Sequence, residues 1–334
     1  MSGSVAASQL GAQPVGEVAE VAEGVYQLKL PVPLPLRFVS VYLVRGGDGW
    51  TLIDAGYDYP PTYEAWEAGA RAVGCDLTRD VARIVVTHFH PDHLGAARQL
   101  AQLSGAPVSM LEDEIPHARG VWETGPGPER FVGSLVRHGM DRSLAEKAAA
   151  GTRANLSLPE ELHPLRPGEE LPLGDGSASV IHAPGHADYQ LVLHDEERSI
   201  LYAADHVLLK ITPNIGLWPE SVPHPLARYL GSLETLRDLG VDLVLPGHGP
   251  VFHDLDGRID ELAAHHAERL DAMHALLRDG PKTPYTVSTE VFRGDLTLYE
   301  QCFALAETLA HLEQLSLQHR AERLENGTVT YSVT

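Results

Sequence analysis

The feature that most constrains this chain is a short run that carries three imidazoles and one carboxylate, His88-Phe89-His90-Pro91-Asp92-His93. It follows an apolar, β-prone stretch and precedes a helical pattern. In extended backbone, residues i and i+2 point the same way, so His88 and His90 can bind one ion. Pro91 favours the first turn of a helix, from which Asp92 and His93 would project beside a second ion. The run therefore predicts a divalent-metal site.

Three more candidate ligands follow separate apolar stretches further along the chain. They are His186, Asp205 and His248, and each is expected where a strand ends and the chain leaves a sheet. Loops on a rigid scaffold commonly supply functional side chains in this way. Asp54 also closes a β-prone stretch, and it is interpreted either as a turn residue or as an acceptor that orients a ligand histidine. The predicted metal ligands are His88, His90, Asp92, His93, His186, Asp205 and His248.

The ligand run, the segment Leu52-Ile53-Asp54-Ala55-Gly56 and the three downstream ligands in this order resemble the metallo-β-lactamase superfamily over about residues 20–255. The resemblance implies an α/β (α+β) fold, a four-layer αββα sandwich of two similar halves with the site at one edge of its sheets. It implies a first metal bound by His88, His90 and His186. It implies a second metal bound by Asp92, His93 and His248, with Asp205 bridging both.

An aspartate at the bridging position, Asp205, is not found in metallo-β-lactamases proper. The resemblance is therefore closer to dinuclear hydrolases such as glyoxalase II-like thioesterases, lactonases and nucleases. Two ions that share a carboxylate can hold a hydroxide between them, and Asp92 and Asp205 are predicted to orient and activate that water. Zinc is the expected metal, with iron or manganese as alternatives. Tyr189 and Lys210 are predicted substrate contacts, because both lie close to ligands in the sequence.

The predicted domain organisation has three parts. Residues 1–18 are small and polar and are expected to be disordered. Residues 19–255 form the catalytic domain, in which the irregular segment 112–165 is an insertion and a candidate lid. Residues 256–334 are predicted to form a helix, a short helix, a longer helix and a hairpin. This order resembles the C-terminal winged-helix domain of a branch of the superfamily that includes β-lactamase-like protein 2.

The charge and composition of the chain argue against nucleic-acid and membrane partners. The formal net charge of −21 opposes binding to polyanions, and the segment that would be the recognition helix, residues 305–313, has no Lys or Arg. The tail is therefore interpreted as a packing or dimerisation module rather than a nucleic-acid reader. No apolar run approaches the ~20 residues that span a bilayer, and the N-terminus lacks the pattern of a secretory signal. Two distant cysteines, Cys75 and Cys302, indicate no disulfide framework and predict a cytoplasmic location.

Three functional hypotheses follow from these patterns. The first is a dinuclear metal-dependent hydrolase that acts on a small ester, thioester or lactone. The second is a metal-dependent phosphodiesterase or endoribonuclease, which the winged-helix-like tail suggests by analogy. The third is a non-catalytic or diiron redox module. We also expect a small-molecule substrate, no interaction with a membrane, and assembly as a homodimer.

Overall fold

The first of two large sheets is built from the N-terminal part of the chain. The structure is a computed structural model that describes residues 14–33, 36–125, 127–151 and 156–334. The sheet runs in chain order, antiparallel through its first four strands and parallel from the fourth to the seventh. Its strands are β1 (Val18–Ala22), β2 (Val25–Pro31), β3 (Phe38–Gly46), β4 (Gly49–Ile53), β5 (Val81–Val85), β6 (Val108–Leu111) and β7 (His163–Leu165).

Residues 1–13, most of the segment predicted to be disordered, lie outside the described residues. Residues 14–18 join the edge of the sheet. Gly16 N donates a hydrogen bond to Lys29 O at 2.7 Å, and β1 begins at Val18, which pairs with Leu28. Backbone pairing therefore reaches further toward the N-terminus than the small, polar composition of these residues indicates.

The second sheet has five strands and faces the first. Their spatial order is β12-β11-β10-β9-β8, with a parallel pair only between β11 and β12. The strands are β8 (Glu170–Leu173), β9 (Gly176–His182), β10 (Leu191–Asp195), β11 (Ile200–Ala204) and β12 (Leu243–Pro246).

Side chains along each strand point alternately to the two faces of its sheet, and each face is covered by a separate layer. On β11, Ile200 and Tyr202 belong to the apolar core between the sheets, whereas Leu201 and Ala203 belong to the core under the outer helices. Successive strand residues point to opposite faces, so a strand that is apolar on both faces must be covered on both. The predicted four-layer αββα sandwich is confirmed.

The helices cover the outer faces of both sheets. On the first sheet lie α1 (Pro60–Ala72), α2 (Pro91–Leu94) and α3 (Ala97–Ser104). The predicted insertion contains α4 (Glu114–Arg119), a π-helical turn (Gly120–Thr124), α5 (Gly127–Arg137) and α6 (Arg142–Gly151). On the second sheet lie α7 (Pro225–Thr235) and α8 (Leu255–Leu277). Among the described residues, no helix has the length and apolar character needed to cross a bilayer.

The C-terminal segment shares its core with the second sheet. It continues from α8 into α9 (Pro284–Val291), α10 (Leu298–Leu317) and a hairpin of β13 (Ala321–Asn326) and β14 (Thr328–Val333). Helix α10 starts with a capping box in which Thr297 and Glu300 satisfy each other's backbone N–H groups. Its residues from 304 to 312 are all buried, so most of the predicted recognition helix is not exposed.

We expect Leu312→Ala to lower the free energy of unfolding by about 2–5 kcal/mol, because it leaves a cavity beside a side chain that is 0% exposed. Urea unfolding followed by circular dichroism measures this change. The control is Leu317→Ala in the last turn of the same helix, where the side chain is 44% exposed. A loss below about 0.5 kcal/mol for Leu312→Ala would mean that α10 is not part of a shared core.

Candidate metal centre

The seven predicted ligands meet at one edge of the two sheets. His88 and His90 follow β5, and Asp92 and His93 lie on α2. The other three come from the second sheet, at the ends of β9, β11 and β12. They fall into three groups whose ligand atoms lie within 4.8 Å of one another: His88, His90 and His186; His88, His93 and Asp205; and Asp92, His93 and His248.

Backbone hydrogen bonds join the two sheets at this edge. Leu191 N donates to Thr87 O at 2.9 Å, and Ser40 N donates to Gly247 O at 2.7 Å. Gly247 also permits a close approach of the backbone, since a Cβ there would collide with Asp205 Oδ1 and lie 2.9 Å from His93 Cε1. The loops that carry the candidate ligands are therefore held by the same contacts that hold the sheets together.

Asp205 occupies the middle of the cluster. Its Oδ1 lies 3.5 Å from His93 Nε2, and its Oδ2 lies 3.4 Å from His186 Nε2 and 3.3 Å from His248 Nε2. Asp92 Oδ2 approaches His248 Nε2 at 3.3 Å. One carboxylate therefore contacts histidines from both of the ligand groups that the family pattern implies.

The far ring nitrogens of three histidines have acceptors of their own. His93 Nδ1 is 2.8 Å from Asp54 Oδ2, His186 Nδ1 is 3.0 Å from Asn214 O, and His248 Nδ1 is 2.8 Å from Phe38 O. These contacts turn the Nε2 atoms of the three rings toward the centre. Metal-binding histidines characteristically hold their second nitrogen in this way.

Asp54 acts as an orienting acceptor rather than only as a turn residue. Its backbone is in the left-handed region, with φ of 64°, where strand β4 ends. The carboxylate accepts from Thr87 N at 2.8 Å and from Thr87 Oγ1 at 3.0 Å, in addition to its contact with His93. Asp54 thus fixes the start of the ligand run and one of its imidazoles together.

Burial separates the histidines into two electrostatic classes. Desolvation, with neighbouring imidazoles, holds the pKa of His88 well below its usual range and lowers the pKa of His90 to about 3. Desolvation also opposes charge on His93 and His248, but the Asp205 carboxylate outweighs it and raises the pKa of His248 to about 10. Only neutral imidazoles and ionised carboxylates bind a cation, so a bound ion would replace the proton that Asp205 otherwise favours on His93 and His248.

Several buried polar atoms in the cluster have no hydrogen-bond partner among the described residues. They are His93 Nε2, His186 Nε2, His248 Nε2 and Asp205 Oδ1. An unsatisfied buried polar atom costs about 1–3 kcal/mol, so a concentration of four in one place needs an explanation. A divalent cation accepts electron pairs from all four, and the donor set of imidazole and carboxylate fits that role.

The two predicted substrate contacts differ in position. Tyr189 is half-buried beside the ligand run, with its ring centroid 5.7 Å from that of His117, which in turn lies 4.8 Å from Phe89. Lys210 is exposed in the loop after β11, and no described contact joins it to the cluster. Tyr189 therefore remains a candidate for the wall of the site on geometric grounds, and Lys210 stays a prediction from sequence proximity.

Some residues around the centre carry no sequence signal. Glu114 is fully buried in the insertion and accepts from Phe89 N at 2.7 Å, and burial raises its pKa to about 8. Asn214 binds His186 through its carbonyl and donates from Nδ2 to Glu307 Oε2 of α10 at 3.1 Å. An isolated acid and an isolated amide form no pattern that could have identified them.

Comparisons with known proteins agree with this architecture. The family model described as metallo-beta-lactamase superfamily matches residues 34–248, and one described as metallo-beta-lactamase-like, C-terminal domain, matches residues 270–334. The chain is 26% identical over 324 residues to a probable metallo-hydrolase, YqjP, of Bacillus subtilis, covering 93% of this chain and 98% of that protein.

Two further likenesses extend the comparison. The human acyl-coenzyme A thioesterase MBLAC2 is 28% identical over 225 residues, which cover 64% of this chain and 74% of that protein. A crystal structure of a metallo-beta-lactamase family protein from Thermus thermophilus superposes with a TM-score of 0.83 at 33% identity, covering 94% of this chain and all of that one. With a family model that spans most of its length and a sheet edge lined by the matching histidines and aspartates, this chain belongs to the metallo-beta-lactamase superfamily.

Proposed function

We propose that this hydrolase of the superfamily binds two divalent ions, zinc in the first instance, and acts on a small thioester, ester or lactone. The observation that carries the proposal is the position of Asp205, which contacts His186 of one ligand group and His248 of the other. A carboxylate between two metal-binding groups favours a dinuclear centre over a single ion.

The residues of the centre are proposed to have three roles: metal binding, orientation of the attacking water, and contact with the substrate. His88, His90 and His186 would hold one ion, and Asp92, His93 and His248 the other. When bound, such ions supply a nucleophilic water at neutral pH and polarise the oxygen of the scissile bond. Asp92 and Asp205 would orient that water as acceptors, while Asp54 keeps His93 in the required tautomer. Tyr189 and Lys210 are proposed as substrate contacts.

The substrate class is supported by likeness and by charge. The human relative named an acyl-coenzyme A thioesterase is 28% identical to this chain over 225 residues. An aspartate at the bridging position disfavours antibiotic hydrolysis. A net charge of −21 favours a small substrate over a nucleic acid.

The phosphodiesterase alternative depends on the tail, and the tail gives it little support. The segment that would read nucleic acid lies in α10, where residues 304–312 are buried. The small-molecule partner, the cytoplasmic location and the homodimer stay predictions. Both cysteines are buried and unbridged, which is compatible with a reducing compartment.

The function is tested with a panel of acyl thioesters, lactones and aryl esters, assayed with zinc-loaded and chelator-stripped protein. We expect turnover of at least one thioester by the loaded protein, and a fall of more than about a hundredfold after stripping, because the nucleophile depends on the ions. Cleavage of single-stranded RNA without turnover of any panel member would favour the phosphodiesterase alternative instead.

Removal of a central ligand should abolish turnover without unfolding the protein. We expect Asp205→Asn and His90→Ala to lose hydrolysis and to bind less than two equivalents of metal in elemental analysis. The circular dichroism spectrum should remain that of the wild type, because the apolar cores do not depend on the ions. Asp48→Asn, an exposed aspartate in the β3–β4 turn, is the control. Full activity of either ligand variant would contradict the assignment.

Asp54, the acceptor of His93 Nδ1, is expected to affect zinc affinity and activity almost as strongly as a metal ligand does. Asp54→Ala should weaken zinc affinity or activity about 10–100-fold, since removing the partner of a metal-binding histidine leaves the ring free to turn. A competition titration against a zinc chelator measures the affinity, again with Asp48→Asn as control. An unchanged zinc affinity together with unchanged activity would show that Asp54 is only a turn residue.

A further inference from the structure

A second chemically distinct region lies between the insertion and the C-terminal segment. It is a cavity of about 570 Å³ lined by residues of α5, the loop at 217–223, α10 and β13. Three arginines, Arg130, Arg137 and Arg323, line it together with Trp218. Its volume lies within the range of small-molecule sites. None of the seven candidate metal ligands lines it, so this region, which we call the arginine cavity, is separate from the metal centre.

The arginines are only partly neutralised. Arg130 donates from Nη2 to Pro219 O at 2.7 Å, and among the described residues no carboxylate lies within ion-pair distance of it. Arg137 and Arg323 share one carboxylate, Glu325, with Arg137 Nη2 at 2.8 Å. The cavity thus gathers three guanidinium groups in a chain whose net charge is −21.

Glu313 is the acidic residue in the lining, and it has a partner of its own. Its Oε2 accepts from His224 N at 2.8 Å. Counted with Glu325 and with Glu220, which lines the adjoining cavity beside Arg130, three carboxylates accompany the three guanidinium groups. The planar, paired donors of the three arginines suit the oxygens of a phosphate-bearing ligand.

A row of aromatic rings begins at Trp218 in the lining of this cavity. The ring of Trp218 lies 5.1 Å from that of Phe303, which lies 4.7 Å from that of Tyr299. Phe303 and Tyr299 both lie on α10, so the row follows the first turns of that helix.

A smaller cavity adjoins the arginine cavity. It has a volume of about 320 Å³, is also lined by Arg130 and includes His117. The ring of His117 lies 4.8 Å from that of Phe89, which stands between the ligands His88 and His90. Arg130 therefore lines both cavities, and the smaller one reaches His117, whose ring contacts Phe89 of the ligand run.

We propose that the arginine cavity binds the phosphate groups of a thiol carrier, coenzyme A in chemical class, whose acyl thioester extends past the smaller cavity toward the ligand run. The inference rests on the proposed hydrolysis of a thioester. In that reaction water adds to the thioester carbonyl, the C–S bond breaks, and the products are a carboxylate, the free thiol of the carrier and a proton. Arginines would hold the phosphates by paired hydrogen bonds, and Trp218 offers a face for a nucleobase.

The test compares two thioesters with the same acyl group, one on coenzyme A and one on N-acetylcysteamine, which has no phosphate. We expect Arg130→Ala and Arg323→Ala each to lower the ratio of the two kcat/KM values about tenfold, equivalent to about 1.4 kcal/mol. Arg130→Lys should recover only part of the ratio, because an ammonium lacks the planar pair of donors. The control, Arg79→Ala, changes an arginine that is 74% exposed and paired with Asp76, and it should leave the ratio unchanged.

A binding measurement separates this proposal from the proposed function. Isothermal titration with free coenzyme A and with pantetheine, which lacks the phosphates, requires no turnover. Tighter binding of coenzyme A by the wild type, weakened about tenfold in Arg130→Ala, would support the cavity even if no thioester is hydrolysed. A kcat/KM ratio unaffected by the arginine variants, or equal binding of the two probes, would overturn it. If inorganic phosphate alone displaces coenzyme A and binds as tightly, the cavity is an anion site with no role for the carrier, and the proposal fails.

Discussion

The structure depends on the contact between two sheets at the edge where their strands end. Each sheet supplies part of the cluster around Asp205, and the backbone bonds from Leu191 to Thr87 and from Ser40 to Gly247 hold the two parts in register. Without that registration the histidines of the first sheet and those of the second would not face one carboxylate. The apolar core between the sheets thus has a chemical consequence, since it sets the distances across the centre.

The sequence predicts the ligand cluster well because its signal is local. A polar residue that directly follows an apolar strand, such as His88 or His248, must lie at a strand end, and neighbouring strand ends meet at one edge of a sheet. The four-layer fold follows from the same strands, which are apolar on both faces. The expected pairing of ligands with two ions comes from the resemblance to a known family and stays a prediction.

Other features could not be predicted because they depend on chain segments that are remote in sequence. The acceptors of His186 and His248 are backbone carbonyls of Asn214 and Phe38, and any residue type offers a carbonyl. The arginine cavity brings together Arg130 and Arg323, which are far apart in the sequence. For Lys210, nearness in sequence to Asp205 gave a prediction that the described contacts leave without support, since its side chain is exposed to solvent.

The bond between Asn214 and Glu307 has a consequence for how such proteins diverge. Asn214 holds a candidate ligand with its carbonyl and the tail with its amide, and Leu217 N also donates to Ala306 O at 2.9 Å. A chimera that received the tail of a relative would therefore inherit a mismatched support for His186 unless residues 214–217 were transplanted with it. The unit of exchange in this architecture is thus a helix together with a loop that lies far before it in the chain, rather than a contiguous module.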